Sequence, residues 1–162
     1  MKTYLSLGSN LGDRYANFQT AIDAIHLYVG EILAVSTFYK TEPLNSPDAT
    51  ESQPEFLNAV LCCETTLTPE EVLQKILLVE QELGRVRKEG VHWGPRLIDI
   101  DILAMGDLII EQPGLTIPHP EMHNRDFVLV PLSEIAPDFI HPKMKINISQ
   151  MLENLNTRFV KN

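Results

Sequence analysis

Asp99 and Asp101 stand two residues apart in the run HWGPRLIDIDIL, residues 92–103, which is otherwise rich in Leu and Ile. Side chains alternate along a strand, so Ile98, Ile100 and Ile102 would share one face and the two aspartates the other. Same-face neighbours sit roughly 6.5–7 Å apart at the backbone. Their carboxylates can therefore converge on a cation. Mg²⁺ prefers oxygen ligands, keeps several waters, and takes one or two carboxylates together with substrate phosphates. Just before the pair, residues 85–96 carry Arg85, Arg87, Lys88 and Arg96 against one acid, Glu89. Arginine matches phosphate oxygens with a planar fork of donors. Acids for a cation beside arginines for phosphates are the parts of a phosphoryl-transfer site. No G-x-x-x-x-G-K-[ST] and no G-x-G-x-x-G occurs, so a nucleotide would be bound outside the P-loop and protein-kinase designs. A D-x-D alone also fits a solvated strand face, another metal–nucleotide transferase or a non-catalytic binding module.

A second polar cluster is His119 and Arg125, in PHPEMHNRDF. Pro118 and Pro120 hold His119 in an extended segment, which suits a positioned donor. Two aromatics form a third element. Phe56 opens a strand after a long connection, and Phe127 follows Arg125 closely. Their faces can stack a flat heterocycle, with Asn58 offering both donor and acceptor to its edge. Trp93 lies in the basic segment, where capping a ligand or packing on the surface would explain it.

These residues need a scaffold. The chain has 162 residues and 44% hydrophobic content, enough for one domain with a proper core. Its formal net charge of −9 argues against general nucleic-acid binding and against adhesion to an anionic membrane. Cys62 and Cys63 are adjacent, which disfavours an ordinary disulfide between them and falls short of a metal-site spacing. Two buried thiols in a reducing compartment are expected. With no long apolar run at the start or elsewhere, a cytoplasmic protein is expected, and a monomer is the default.

Along the chain, residues 3–7 read as a strand. Phe18, Ile22, Ile25 and Val29 mark a helical face, with Asp13 as N-cap and Gly30 as stop. Residues 32–39 read as one strand. Residues 41–55, with three prolines, read as a long functional connection. A strand follows from Phe56. Thr68, Pro69 and Glu71 start a capping-box helix whose buried face is Val72, Leu73, Ile76, Leu77 and Leu83, with Gly84 at its end. After the aspartate strand, residues 105–107 are expected to turn it into a hairpin with residues 108–111. A final amphipathic piece holds Ile148, Met151, Leu152 and Leu155. The order β-α-β-β-α-β predicts an α+β fold: a ferredoxin-like sandwich, with helices packed on a mainly antiparallel sheet.

The sequence resembles the 6-hydroxymethyl-7,8-dihydropterin pyrophosphokinases of the folate pathway. HWGPRLIDIDIL is similar to the family signature, and SLGSNLGDR, FYKTEPL, FLNAV, ELGRVR and PHPEMHNRDFVLVPL match family segments in order. The resemblance covers nearly the whole chain and implies one pyrophosphokinase domain, residues 1–162. It implies transfer of pyrophosphate from MgATP to the hydroxymethyl group of a reduced pterin, releasing AMP. Asp99 and Asp101 would hold two Mg²⁺ ions. Arg85 and Arg96 would serve the reaction, and the ATP set would comprise Arg85, Arg87, Arg96, Ile102, His119 and Arg125. The pterin set would comprise Thr41, Glu42, Pro43, Leu44, Phe56, Asn58, Trp93, Asp99 and Phe127. The resemblance further implies two mobile active-site loops, residues 41–55 and 85–95. Pro120 stands where some relatives have tyrosine, and Leu77 where some have a glutamine near the adenine. No general base is evident, and none is expected.

Overall fold

The computed structural model describes residues 1–41, 55–84, 97–155 and the backbone of 160–161. Its centre is β1 (Lys2–Ser9), which pairs antiparallel with β4 (Phe56–Glu64) on one side and β5 (Asp99–Met105) on the other. Helix α1 (Arg14–Tyr28) carries the chain from β1 to β2 (Glu31–Val35), which pairs with the far side of β4. Helix α2 (Pro69–Glu82) carries it from β4 to β5. Each β-α-β unit is thus split by an antiparallel strand, the ferredoxin-like arrangement expected from the element order. β3 (Tyr39–Thr41) extends the β2 edge, and β8 (Val160–Lys161) pairs with Lys40 and Thr41 beyond it.

Local chemistry accounts for the helices. The Asp13 side chain accepts from the Ala16 N–H, which fixes the start of α1. Thr68 and Glu71 form the expected capping box on α2, with Pro69 in its first turn. Gly84 ends that helix region with a φ of 115°, a conformation that strains any side chain. The buried stripe of α2 is Val72, Ile76, Val79 and Glu80; Leu77, expected inside, is 43% exposed. Residues 72, 76 and 79 follow the helical repeat, whereas 77 is turned about 100° from 76.

Two expectations need correction. The single strand over residues 32–39 is broken at Ser36. Its Oγ accepts from Val60 N–H at 3.0 Å, and Thr37 N–H leaves the ladder for the Glu134 carboxylate. The turn at residues 105–107 does form, with Gly106 at φ 54°, but the chain does not fold back on β5. Instead β6 (Ile110–Gln112) pairs with β7 (Leu115–Ile117) in a separate ribbon. The outer edge of β5 is occupied already: Glu80 Oε2 accepts from Ile100 N–H at 2.9 Å, and His119 N–H donates to the Leu103 carbonyl at 2.9 Å. Further along, α3 (Asp126–Ile135) forms with Pro131 within it, burying Val128, Leu129 and Leu132.

The sheet is covered on both faces. Leu5, Leu7, Leu57, Leu61, Ile100 and Met105 pack under α1 and α2 with Phe18, Ile25 and Ile76. On the other face Tyr4, Val60, Cys62 and Leu103 meet Met122, Leu129 and Leu132 and, from α4 (Ile148–Glu153), Ile148 and Met151. Each fully buried aliphatic side chain contributes about 1.5–3 kcal/mol. Cys62 and Cys63 are free and buried, as expected, and the Cys63 thiol is pushed up to about 12 by burial, so it is inert. Among the described residues no helix is long and apolar enough to cross a membrane.

Gly30 has a role beyond stopping α1. A Cβ there would lie 2.0 Å from the Glu64 carbonyl oxygen, so α1 and β4 approach too closely for any side chain. Gly30→Ala is expected to cost about 2–3 kcal/mol, a fall in Tm of roughly 5–10 °C by thermal unfolding.

Candidate active site

Alternation along β1 sends Leu5 and Leu7 into the helical layer and leaves Tyr4, Ser6 and Gly8 on the opposite face. The ladders place Gly8 level with Asn58 of β4 and with Asp99 of β5. One step along, Ser6 is level with Val60 and with Asp101. The apolar end of this face, Tyr4, Val60 and Leu103, is covered by α3 and α4. The end built from Ser6, Gly8, Asn58, Asp99 and Asp101 is left as the floor of a cavity of about 300 Å³. Phe56, Thr41, Arg125 and Phe127 line its sides. That volume suits a small, flat ligand.

Each wall has a local cause. Asn58 is 8% exposed, and its Nδ2 donates to Thr41 Oγ1 at 2.6 Å, which fixes the amide plane. A Cβ on Gly8 would sit 3.1 Å from Asn58 Oδ1, so glycine leaves the amide room to lie flat against β1. Phe127 is in the first turn of α3 and Arg125 just precedes it. The Arg125 guanidinium lies 5.6 Å from the Phe127 ring centroid, a cation–π contact that steadies both.

A second cavity, of about 260 Å³, opens on the outer side of β5. Leu73 and Ile76 of α2, Ile102, Thr116, His119 and Pro120 border it. Asp101 borders both cavities. The His119 imidazole is shifted to a lower pKa by burial. Asp101 opposes that shift, Arg125 adds to it, and Glu121 opposes it more weakly. Its Nδ1 accepts from the Glu121 N–H at 3.1 Å, so Nε2 carries the proton of the neutral ring.

The structure thus brings together Thr41, Phe56, Asn58, Asp99, Asp101, Arg125 and Phe127, and places Ile102 and His119 in the neighbouring cavity. Arg125 and His119, grouped in the sequence reading, line different cavities. Leu77 borders neither one, whereas Leu73 and Ile76 border the second. Glu42, Pro43, Leu44, Arg85, Arg87, Trp93 and Arg96, and of the two expected loops residues 42–54 and 85–95, lie outside the described residues. Gly84 and Leu97, which flank residues 85–96, lie against each other: a Cβ on Gly84 would be 2.9 Å from Leu97 Cδ1. Sequence reasoning missed Ser6, Gly8 and Thr116. The alternation in YLSLGS marked the first two as a polar, small face, but only the strand register shows what they stand beside.

The donor set fits Mg²⁺. Among the described residues no group of three or more His, Cys, Asp and Glu could hold a metal by itself. Two carboxylates on one strand face, in a cavity that Arg125 also lines, suit a hard cation that draws its other ligands from water and phosphate.

Residues 4–137 match the sequence profile of the 7,8-dihydro-6-hydroxymethylpterin-pyrophosphokinase family. The chain is 40% identical over 153 residues to a 2-amino-4-hydroxy-6-hydroxymethyldihydropteridine pyrophosphokinase of Synechocystis, covering 94% of this chain and 75% of that protein. It is 46% identical over 139 residues to the Aquifex aeolicus protein of the same name, covering 86% and 82%. To the folic acid synthesis protein fol1 of Schizosaccharomyces pombe it is 39% identical, over 98% of this chain but 21% of that one. The fold is similar to that of Plasmodium falciparum HPPK-DHPS, with a TM-score of 0.75 at 16% identity over 94% of this chain and 44% of the other.

The titration of His119 checks the geometry between the cavities. Its imidazole resonance is expected to titrate below the usual histidine range. Asp101→Asn should move it lower still, and Arg125→Gln should move it up, in NMR titrations of each variant.

Proposed function

We propose a function on one premise: the chain belongs to the 7,8-dihydro-6-hydroxymethylpterin-pyrophosphokinase family. It is an ATP-dependent diphosphotransferase of folate biosynthesis. The hydroxymethyl oxygen of 6-hydroxymethyl-7,8-dihydropterin forms a bond to the β-phosphorus of ATP. The bond from that phosphorus to the α–β bridging oxygen breaks, AMP leaves, and the hydroxyl proton is lost to solvent.

The observation that carries the site assignment is the position of Asp101, on the border of both cavities. In this reading the cavity over Gly8 takes the pterin. Phe56 and Phe127 present their rings, Asn58 reads the edge of the heterocycle, and Thr41 holds the Asn58 amide in place. Glu42, Pro43, Leu44 and Trp93 would complete that pocket. The outer cavity takes the nucleotide, with Ile102, Thr116 and His119 along it. The reacting phosphates then fall between the two, over Asp99 and Asp101. Arg85, Arg87 and Arg96 would contact the phosphates, and Arg125 reaches them from the pterin side. Asp99 and Asp101 would hold two Mg²⁺ ions, which neutralise phosphate charge and lower the basicity needed at the nucleophile. The protein itself contributes orientation, fixed charge and exclusion of water. No side chain in the floor is assigned as a base. We further propose that residues 1–162 act as one domain and as a monomer. A cytoplasmic location fits the two buried free thiols.

Incubation with MgATP and 6-hydroxymethyl-7,8-dihydropterin should release AMP; ADP or free pyrophosphate as the product would overturn the reaction. Asp99→Ala and Asp101→Ala should each lower turnover by about a thousandfold or more, roughly 4 kcal/mol at the transition state. Both should still unfold cooperatively, because they remove ion ligands rather than core. For Arg96→Ala, turnover is expected to fall further than pterin affinity does, as read by steady-state kinetics and direct pterin titration.

A further inference from the structure

We propose that Ser9, Asn17 and Glu80 are positioning residues for the acidic pair: they fix the backbone of residues 97–100 from three other elements, and so set where Asp99 and Asp101 present their carboxylates to a cation. This rests on the metal-ligand reading above. Strand β5 is an edge strand whose ladder partner is β1. An edge strand leaves half of its N–H and C=O groups without ladder partners. At the entry of β5 side chains take those groups. The Leu97 carbonyl accepts from Ser9 Oγ at 2.6 Å and from Asn17 Nδ2 at 3.3 Å. Asn17 Nδ2 also reaches Ser9 Oγ at 3.3 Å and the Leu11 carbonyl at 2.9 Å, tying α1, the end of β1 and residue 97 into one cluster. Three residues on, Ile100 N–H donates to Glu80 Oε2 at 2.9 Å.

The residue types are costly for their surroundings. Asn17 is 9% exposed beside Phe18, and Glu80 is 3% exposed on a stripe with Val72, Ile76 and Val79. Burying a polar group on an apolar face is unfavourable unless its hydrogen bonds are made. A leucine at either position would pack without that cost. What the polar side chains supply is two fixed backbone points, the Leu97 carbonyl and the Ile100 N–H, with Asp99 between them and Asp101 just beyond. Groups that orient metal ligands typically govern metal affinity or activity by about 10–100-fold.

The test separates positioning from bulk stability. Mn²⁺ serves as a paramagnetic probe, titrated by EPR in the presence of α,β-methylene-ATP, alongside turnover measured against Mg²⁺ concentration. Glu80→Met and Asn17→Leu are expected to weaken Mn²⁺ binding about tenfold and to raise the Mg²⁺ needed for half-maximal turnover by a similar factor. Pterin affinity should change by less than about twofold. Glu80→Gln keeps an acceptor for Ile100 N–H and should restore Mn²⁺ binding to near the parent value. Wild-type Mn²⁺ binding in the folded variants, with only a lower Tm, would overturn the proposal. So would Glu80→Gln as damaging as Glu80→Met. Should Glu80→Met not fold, Ser9→Ala, which removes a single hydroxyl, decides between the same outcomes. Asp99→Asn is the control: if it leaves Mn²⁺ binding intact, the ligand assignment itself fails. If it weakens binding while the other variants do not, only the positioning role fails.

Discussion

Gly8 stands level with Asn58 on one side and Asp99 on the other, and that double register orders the rest of the site. A slip of one residue in either ladder would turn Leu7 or Ser9 to this position and send the facing polar residues into the helical layer. The register is held by the apolar side chains of the opposite face. Leu5, Leu7, Leu57, Leu61 and Ile100 lose water only when all three strands are in phase. The hydrophobic layer under α1 and α2 therefore does chemical work at a distance. Leu5, Leu57 and Leu61 line neither cavity, yet with their neighbours they decide which carboxylates and amides share the open face.

That open face is half roofed. Helices α3 and α4 cover Tyr4, Val60, Cys62 and Leu103 and stop there, and the uncovered polar end becomes a cavity. The same segment that ends the roof supplies Arg125 and Phe127 to the wall. Glu134, further along α3, accepts from the Tyr39 hydroxyl at 2.6 Å, which ties the roof to the strand carrying Thr41. Burial of apolar surface and placement of the ligand-facing residues are thus two outcomes of one packing arrangement.

Much of this was legible in the residues. Alternation in LIDIDIL placed the aspartates together, the capping box announced α2, and the element order gave the split β-α-β topology. Local chemistry was misread where a distant group competes. Ser36 breaks its strand because Val60 and Glu134 offer other partners, and residues 108–111 do not pair with β5 because Glu80 and the His119 backbone already occupy its edge. The division of His119 and Arg125 between two cavities was likewise hidden, since closeness in sequence says nothing about which side of β5 each approaches. Ser6 and Gly8 carried a readable pattern but no readable neighbour.

The short strand β8 has a practical corollary. It brings residues 160–161 alongside Lys40 and Thr41, at the wall of the cavity over Gly8, whereas the amino group of Met1 donates to the Thr65 carbonyl at 2.8 Å, at the other end of the β1–β4 ladder. Eight paired residues separate those ends, a span of roughly 25 Å. An affinity handle, fluorophore or surface tether placed ahead of Met1 is thus remote from the ligand floor. Residues 160–161, by contrast, run beside the strand that carries Thr41.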